Sequence, residues 1–141
     1  MEKHLYKSIE NVLKVNEAEA IYGYTGIKSS MAISITGELF KSPIEKESFW
    51  SNVINYSYRS AQRRKARNQD LPFPAYEKWI LFLRIFKRAK SIFGDYPKVK
   101  SWLAKPNPQL NGNTPYDALG SYLGYERINH LLDKIEFGMP V

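Results

Sequence analysis

Arg59, Arg63 and Arg67 recur at i, i+4 and i+8, with Gln62, Arg64 and Lys65 between them. On a helix that spacing lines up three guanidinium groups within reach of phosphates or guanine edges, and gives Gln62 access to an adenine edge. The chemistry is recognition of a nucleic acid by charge and hydrogen bonding. A solvated basic helix balancing acidic neighbours is the competing reading. The helix-turn outline of the residues just before favours DNA contact through Arg59, Gln62, Arg63, Arg64, Lys65 and Arg67. Tyr56 and Tyr58 offer faces for stacking unpaired bases, while packing at a helix junction is the favoured account of both.

A second concentration of unusual residues lies between Trp102 and Pro115, where Pro106, Asn107, Pro108, Gln109, Leu110, Asn111, Gly112 and Asn113 make a loop that is costly to order. Its prolines stiffen it and so lower the cost of binding something. Asn107, Gln109, Asn111 and Asn113 are therefore expected to face a partner, and Leu110 is counted with them as partner-binding; completing the core is the competing account of Leu110 and the favoured one for Trp102. The final run Glu136, Phe137, Gly138, Met139, Pro140 and Val141 puts apolar side chains after a helix stop. It is either a tail folded back on the body or an anchor for another protein's cleft.

Catalytic chemistry finds little support. There is no cysteine, which removes thiol nucleophiles, disulfides and thiolate zinc sites together. His4 and His130 lack metal-ligand spacing. Neither a phosphate-binding G-x-x-x-x-G-K-[ST] loop nor a G-x-S-x-G elbow occurs, so no enzyme, metal or cofactor is expected. The 21 Lys and Arg against 14 Asp and Glu give a net charge of +7, which favours an anionic partner. No signal pattern and no run of about 20 apolar residues is present, so a cytoplasmic protein away from membranes is expected.

The elements that must position these residues read as helices. Leu5, Ile9, Val12 and Leu13 mark a short amphipathic helix, broken at Gly23-Tyr24-Thr25-Gly26. Met31 to Phe40 is an apolar run read as helix despite Gly37. Ser42-Pro43-Ile44-Glu45 has the form of a helix start, with Phe49, Trp50 and Val53 facing inward. A second short helix over about 59–68 follows, and the pair outlines a helix-turn-helix. Leu71-Pro72-Phe73-Pro74 reads as an extended hinge.

From Ala75 to Phe93 a stripe of Trp79, Phe82, Leu83, Phe86, Ala89 and Phe93 defines a long helix, with Arg84, Lys87 and Arg88 on its other side. Gly94 ends it, Asp95 caps the next helix and Pro97 sits in that helix's first turn. Thr114-Pro115-Tyr116-Asp117 starts another short helix, broken near Gly120 to Gly124. Ile128, Leu131, Leu132 and Ile135 then define a last helix that stops before Gly138. The fold class is all-α: a helical bundle in which residues 1–44 form a helical extension, 45–74 a helix-turn-helix-like region and 75–141 a second helical domain.

Several features occur in order: Ala89 to Gly94-Asp95 closing the long helix, Trp102-Leu103 with Pro106-Asn107-Pro108 and Leu110, Gly112, and Thr114-Pro115 with Asp117 and Leu119. Gly124, Ile128, Leu132 and Ile135-Glu136 follow before Gly138. This ordered set, over about 75–141, resembles the toxin-binding domain of the Xre/MbcA/ParS antitoxin family. Upstream, Arg59 to Arg64 followed by Leu71 and Pro74 resembles that family's recognition helix and its exit, without the family's Gly between the two helices.

The resemblance implies an antitoxin whose helix-turn-helix binds promoter DNA. It also implies that the C-terminal domain binds a toxin, often of the RES class, which consumes NAD and is similar to ADP-ribosyltransferases. By the same resemblance, Glu136 to Val141 approaches and occludes the toxin's NAD site. The expected partners are the cognate toxin and operator DNA, in a homodimer and a larger toxin–antitoxin assembly. A DNA-binding regulator without a toxin, and an adaptor that recruits another protein, are the alternatives.

Overall fold

The computed structural model describes residues 2–22 and 26–139, and at 2, 3 and 15–22 the backbone alone. These described residues are all-α: eight α-helices, one π-helical turn, one 3-10 turn and no strand. Packing divides the chain into two units, Met1–Leu83 and Arg84–Val141, with the boundary inside one continuous helix.

In the first unit, α1 (Glu2–Tyr22) and α2 (Ser29–Leu39) are followed by α3 (Pro43–Phe49), a π-helical turn (Trp50–Ile54), α4 (Tyr58–Ala66) and the start of α5 (Phe73–Phe93). The expected short first helix is present and longer than its apolar stripe. Leu5, Ile9, Val12 and Leu13 are buried as the spacing requires. Beyond them Ala and Glu, good helix formers, carry the backbone on to Tyr22. Of the expected break, residues 23–25 lie outside the described residues. The Met31 to Phe40 run is helical as read, and Gly37 sits within it.

Ser42 caps α3 by accepting from the Glu45 amide at 3.1 Å, and Pro43 occupies the first turn, where its missing N–H is no loss. Phe49, Trp50 and Val53 are buried behind it. Phe49 packs against Phe40, Trp79 and Phe82 with ring centroids 4.8–5.4 Å apart. Trp50 meets Trp79 edge-on at 5.4 Å. Its indole N–H donates to Thr36 Oγ1 at 3.0 Å, and that hydroxyl in turn donates to the Ala32 carbonyl at 2.8 Å. The chain satisfies two polar groups in the middle of an aromatic core, where leaving either unpaired is costly.

The turn between the two short helices holds Asn55 in the left-handed region, at φ 59°. This is the conformation a glycine would supply. Asn tolerates it better than other side chains, which is how the turn forms without a Gly.

Residues 71–74 differ from the expected hinge. Leu71 is buried and its amide donates to the Ile27 carbonyl at 3.0 Å, while Ser29 N donates to Gln69 O at 3.2 Å. Lys28 and Asp70 pair through both backbone bridge and side chains. The segment is pinned, and α5 begins at Phe73 with Pro74 in its first turn, where Pro is compatible with a helix.

In the second unit the end of α5 is followed by α6 (Tyr96–Ala104), a 3-10 turn (Pro108–Leu110), α7 (Pro115–Ala118) and α8 (Tyr122–Glu136). Asp95 caps α6 through the Lys98 amide at 2.8 Å, after Gly94 at φ 97°. Ile85, Phe86, Val99, Leu103, Ile128 and Leu132 are essentially inaccessible and form the core. Phe86 stacks on Tyr96 at 5.2 Å.

Three expectations need correction here. Trp102 is only part-buried, set against Phe93 at 5.4 Å near the surface, rather than closing the core. The break expected near Gly120 to Gly124 falls at 119–121, between α7 and α8, so Gly124 is already past it. It lies in α8's first turn, where Ser121 accepts from its amide at 3.0 Å. Its reason is proximity: a Cβ there would fall 1.7 Å from the Ala118 carbonyl oxygen. The third correction concerns Arg88, described below.

Candidate functional site: an outward basic helix and a C-terminal loop and tail

Helix α4 is capped by Ser57, which accepts from the Ser60 amide at 3.2 Å, and buries Ala61 completely. That fixes which side faces out. Arg59, Gln62, Arg63, Lys65 and Arg67 are all exposed. Arg67 follows the last helical residue as the C-cap, its amide donating to the Arg63 and Arg64 carbonyls. Arg64 is oriented differently. Its Nε donates to the Tyr56 hydroxyl at 3.0 Å and its Nη1 to the Asp70 carbonyl at 3.0 Å. Tyr56 and Tyr58 both lie against Trp50, at 6.5 and 5.8 Å. They pack at the helix junction, and burial pushes the Tyr58 phenol above its ordinary range.

In the second unit, the 107–113 loop is built around Asn107. Its Oδ1 accepts from the Gln109 amide at 2.9 Å, its carbonyl from the amides of Leu110 and Gly112, and its own amide donates to the Asn113 carbonyl. Asn111 takes φ 58° and Gly112 φ 81°, which reverses the chain, and Leu110, expected to meet the partner, is instead buried beneath the loop as part of the core. Gln109, Asn111 and Asn113 remain exposed.

Helix α8 ends in a Schellman motif: the Met139 amide donates to the Lys134 carbonyl at 2.8 Å and the Gly138 amide to that of Ile135 at 3.3 Å, with Gly138 at φ 66°. The tail leaves the helix with Phe137 72% and Met139 53% exposed. Two apolar side chains therefore stand in water. Pro140 and Val141 lie outside the described residues.

Arg88 was expected on the outer side of α5. Instead its guanidinium is mostly covered and holds the C-terminal half of α8. It donates to the Asn129 carbonyl at 3.2 Å and Oδ1 at 2.9 Å, to Asp133, and to Glu136 Oε1 at 3.2 Å. Partial burial works against its charge, and the hydrogen bonds and charges of Asp133 and Glu136 more than offset that, raising it above its usual range. A cation directly beside Ala89 of the core stripe gives no sign in sequence of which acids it will meet.

Concavities are found among the described residues of this unit. An open groove of about 580 Å³ is lined by Phe93, Trp102, Pro97, Lys98 and Lys105 among others. A smaller pocket of about 190 Å³ is lined by Gln109, Leu110, Arg127, His130, Leu131 and Lys134. Arg127 and Lys134 were not singled out from sequence, and His130 was read only as lacking metal-ligand spacing, although their i, i+3, i+7 spacing was there to be read. The exposed Tyr122 and Leu123 at the start of α8 were missed as well.

Residues 88–138 match the family model of the antitoxin Xre/MbcA/ParS C-terminal toxin-binding domain. That segment, which contains the loop, α8 and the start of the tail, is similar to this class of binding domain. A curated relative, Antitoxin Xre of Pseudomonas putida, is 25% identical over 113 residues, covering 80% of this chain and 67% of that protein. The two matches together support the Xre/MbcA/ParS-like antitoxin family of toxin–antitoxin systems. No helix among the described residues is long and apolar enough to cross a membrane.

Proposed function

We propose that this protein is the antitoxin of a toxin–antitoxin pair and acts by binding, without turnover. Its second unit would hold a RES-type, NAD-consuming toxin through the 107–113 loop and the tail Glu136 to Val141, the tail occluding the toxin's nucleotide cleft. Its first unit would repress the operon by laying the outward face of α4, Arg59, Gln62, Arg63, Lys65 and Arg67, in the major groove of operator DNA, as a homodimer on paired half-sites.

One observation carries the first part: the segment that matches a toxin-binding domain runs into a tail with two exposed apolar side chains, Phe137 within the match and Met139 just beyond it. Apolar anchors in a preorganised setting are what a partner's cleft would take up. Occlusion needs only a peptide of the right shape, so no chemistry is asked of this chain. The second part is supported by the outward cations of α4.

The test is co-expression with the protein encoded by the adjacent reading frame, scoring growth and co-purification. Rescue and a stable complex are expected from the full chain, and a chain truncated after Glu136 should keep its helicity and lose neutralisation. Absence of both rescue and complex would remove the antitoxin reading. A full-length chain that binds DNA but no toxin would leave the regulator alternative standing.

A further inference from the structure

Arg127, His130 and Lys134 line the smaller pocket from one face of α8. Gln109 adds a carboxamide from the 3-10 turn, and Leu110 and Leu131, both buried, add apolar wall. No carboxylate lines it. Among the described residues Arg127, His130 and Lys134 form neither an ion pair nor a side-chain hydrogen bond. Other cations do: Arg88 has Asp133 and Glu136, Lys98 has Asp95, and Lys28 has Asp70. The acids of α8's last turns are thus taken by Arg88, and among the described residues the positive charge around the pocket has no ion-pair counterpart.

We propose that this pocket receives a glutamate or aspartate side chain of the protein partner held by the second unit. The inference rests on the reading of that unit as a toxin-binding domain and names the chemistry of one contact. An arginine fork, a lysine and a carboxamide N–H₂ supply donors matched to two carboxylate oxygens. The leucine walls suit the methylenes of an acidic side chain, from which a backbone phosphate would gain nothing. About 190 Å³ accommodates a single side chain rather than an extended ligand. The position also fits: Gln109 belongs to the exposed loop, and Lys134 is the residue whose carbonyl anchors the Met139 amide. The pocket therefore joins the two segments already assigned to the partner.

The test uses the full-length, ¹⁵N-labelled protein. Titration with N-acetylglutamate methylamide at millimolar concentration should shift the amide signals of Gln109, Leu110, Arg127 and Lys134, and the glutamine analogue should not. Against the co-expressed toxin, R127E/K134E should bind at least about tenfold more weakly, with R127Q/K134Q intermediate, while both retain the wild-type circular dichroism. A wild-type protein that binds the toxin, paired with a double reversal that binds it as tightly, would overturn the proposal. So would a 15-base-pair duplex that shifts the same signals at lower concentration than the glutamyl probe, since the site would then be a phosphate contact. Shifts with the glutamyl probe in a protein that binds no toxin would leave the carboxylate pocket and remove the toxin-binding reading.

Discussion

Arg64 donates through Nε to the Tyr56 hydroxyl at 3.0 Å, reaching back across the turn that precedes its own helix. Its Nη1 meets the Asp70 carbonyl at the same distance, just past that helix's end. One side chain in a run of cations therefore fastens α4 at both sides. Arg64→Ala should lower stability by about 1–2 kcal/mol, as expected for two part-buried hydrogen bonds. Arg63→Ala, one position earlier and exposed, should leave the thermal midpoint unchanged and weaken DNA binding. Melting curves with a DNA titration on both variants separate the two roles, and equal melting losses would contradict them.

If Arg59, Arg63, Lys65 and Arg67 each neutralise a phosphate, log affinity for operator DNA should fall against log salt with a slope of roughly −4. Replacing any one of them should reduce that slope by about one unit. A response flat between 50 and 200 mM salt, roughly the range over which such contacts are usually compared, would refute α4 as a DNA-binding face.

Gly124→Ala tests the contact between α7 and α8. Alanine ordinarily gains up to about 1 kcal/mol over glycine within a helix. Here its Cβ would meet the Ala118 carbonyl oxygen at 1.7 Å, a backbone atom that can yield only if α7 moves. Overpacking of this kind costs about 1–3 kcal/mol or more, so net destabilisation is expected despite the better propensity. Chemical denaturation of the variant checks the sign.

Arg88→Leu keeps much of the volume and removes the clamp on α8. Asp133 and Glu136 then lose their cation and the last turns of the helix lose their tie to α5. A loss of about 1–2 kcal/mol is expected, allowing for the solvent that reaches the pair. Hydrogen exchange should quicken first at the amides of Phe137, Gly138 and Met139. Exchange that stays slow there would show that the Schellman motif holds the tail's base without Arg88.

What was legible in the sequence was local. The caps at Ser42, Asp95 and Thr114 each form as their residue types require, with Thr114 accepting from the Asp117 amide at 3.2 Å. The α5 stripe is buried at Trp79, Phe82, Leu83, Phe86 and Ala89, and Phe93 is half-covered. The ordered residues after Ala89 carried the same resemblance that the family model finds over residues 88–138. Such features depend on neighbours one to four positions away, which periodicity and capping rules describe fully.

Whatever depends on distant partners was decided by tertiary structure. Arg88 meets acids more than forty residues later, and Leu71 finds the Ile27 carbonyl across an equal span. Arg64 turns inward because Tyr56 and Asp70 are there, while Arg63 beside it does not. Gly124 needs to be glycine only because Ala118 is so near. The pocket around Arg127, His130 and Lys134 exists because the 3-10 turn comes to rest against α8. Residue types state what a side chain can bond to; packing chooses among the candidates, because a part-buried charge or donor must take whatever partner the fold brings within about 3 Å.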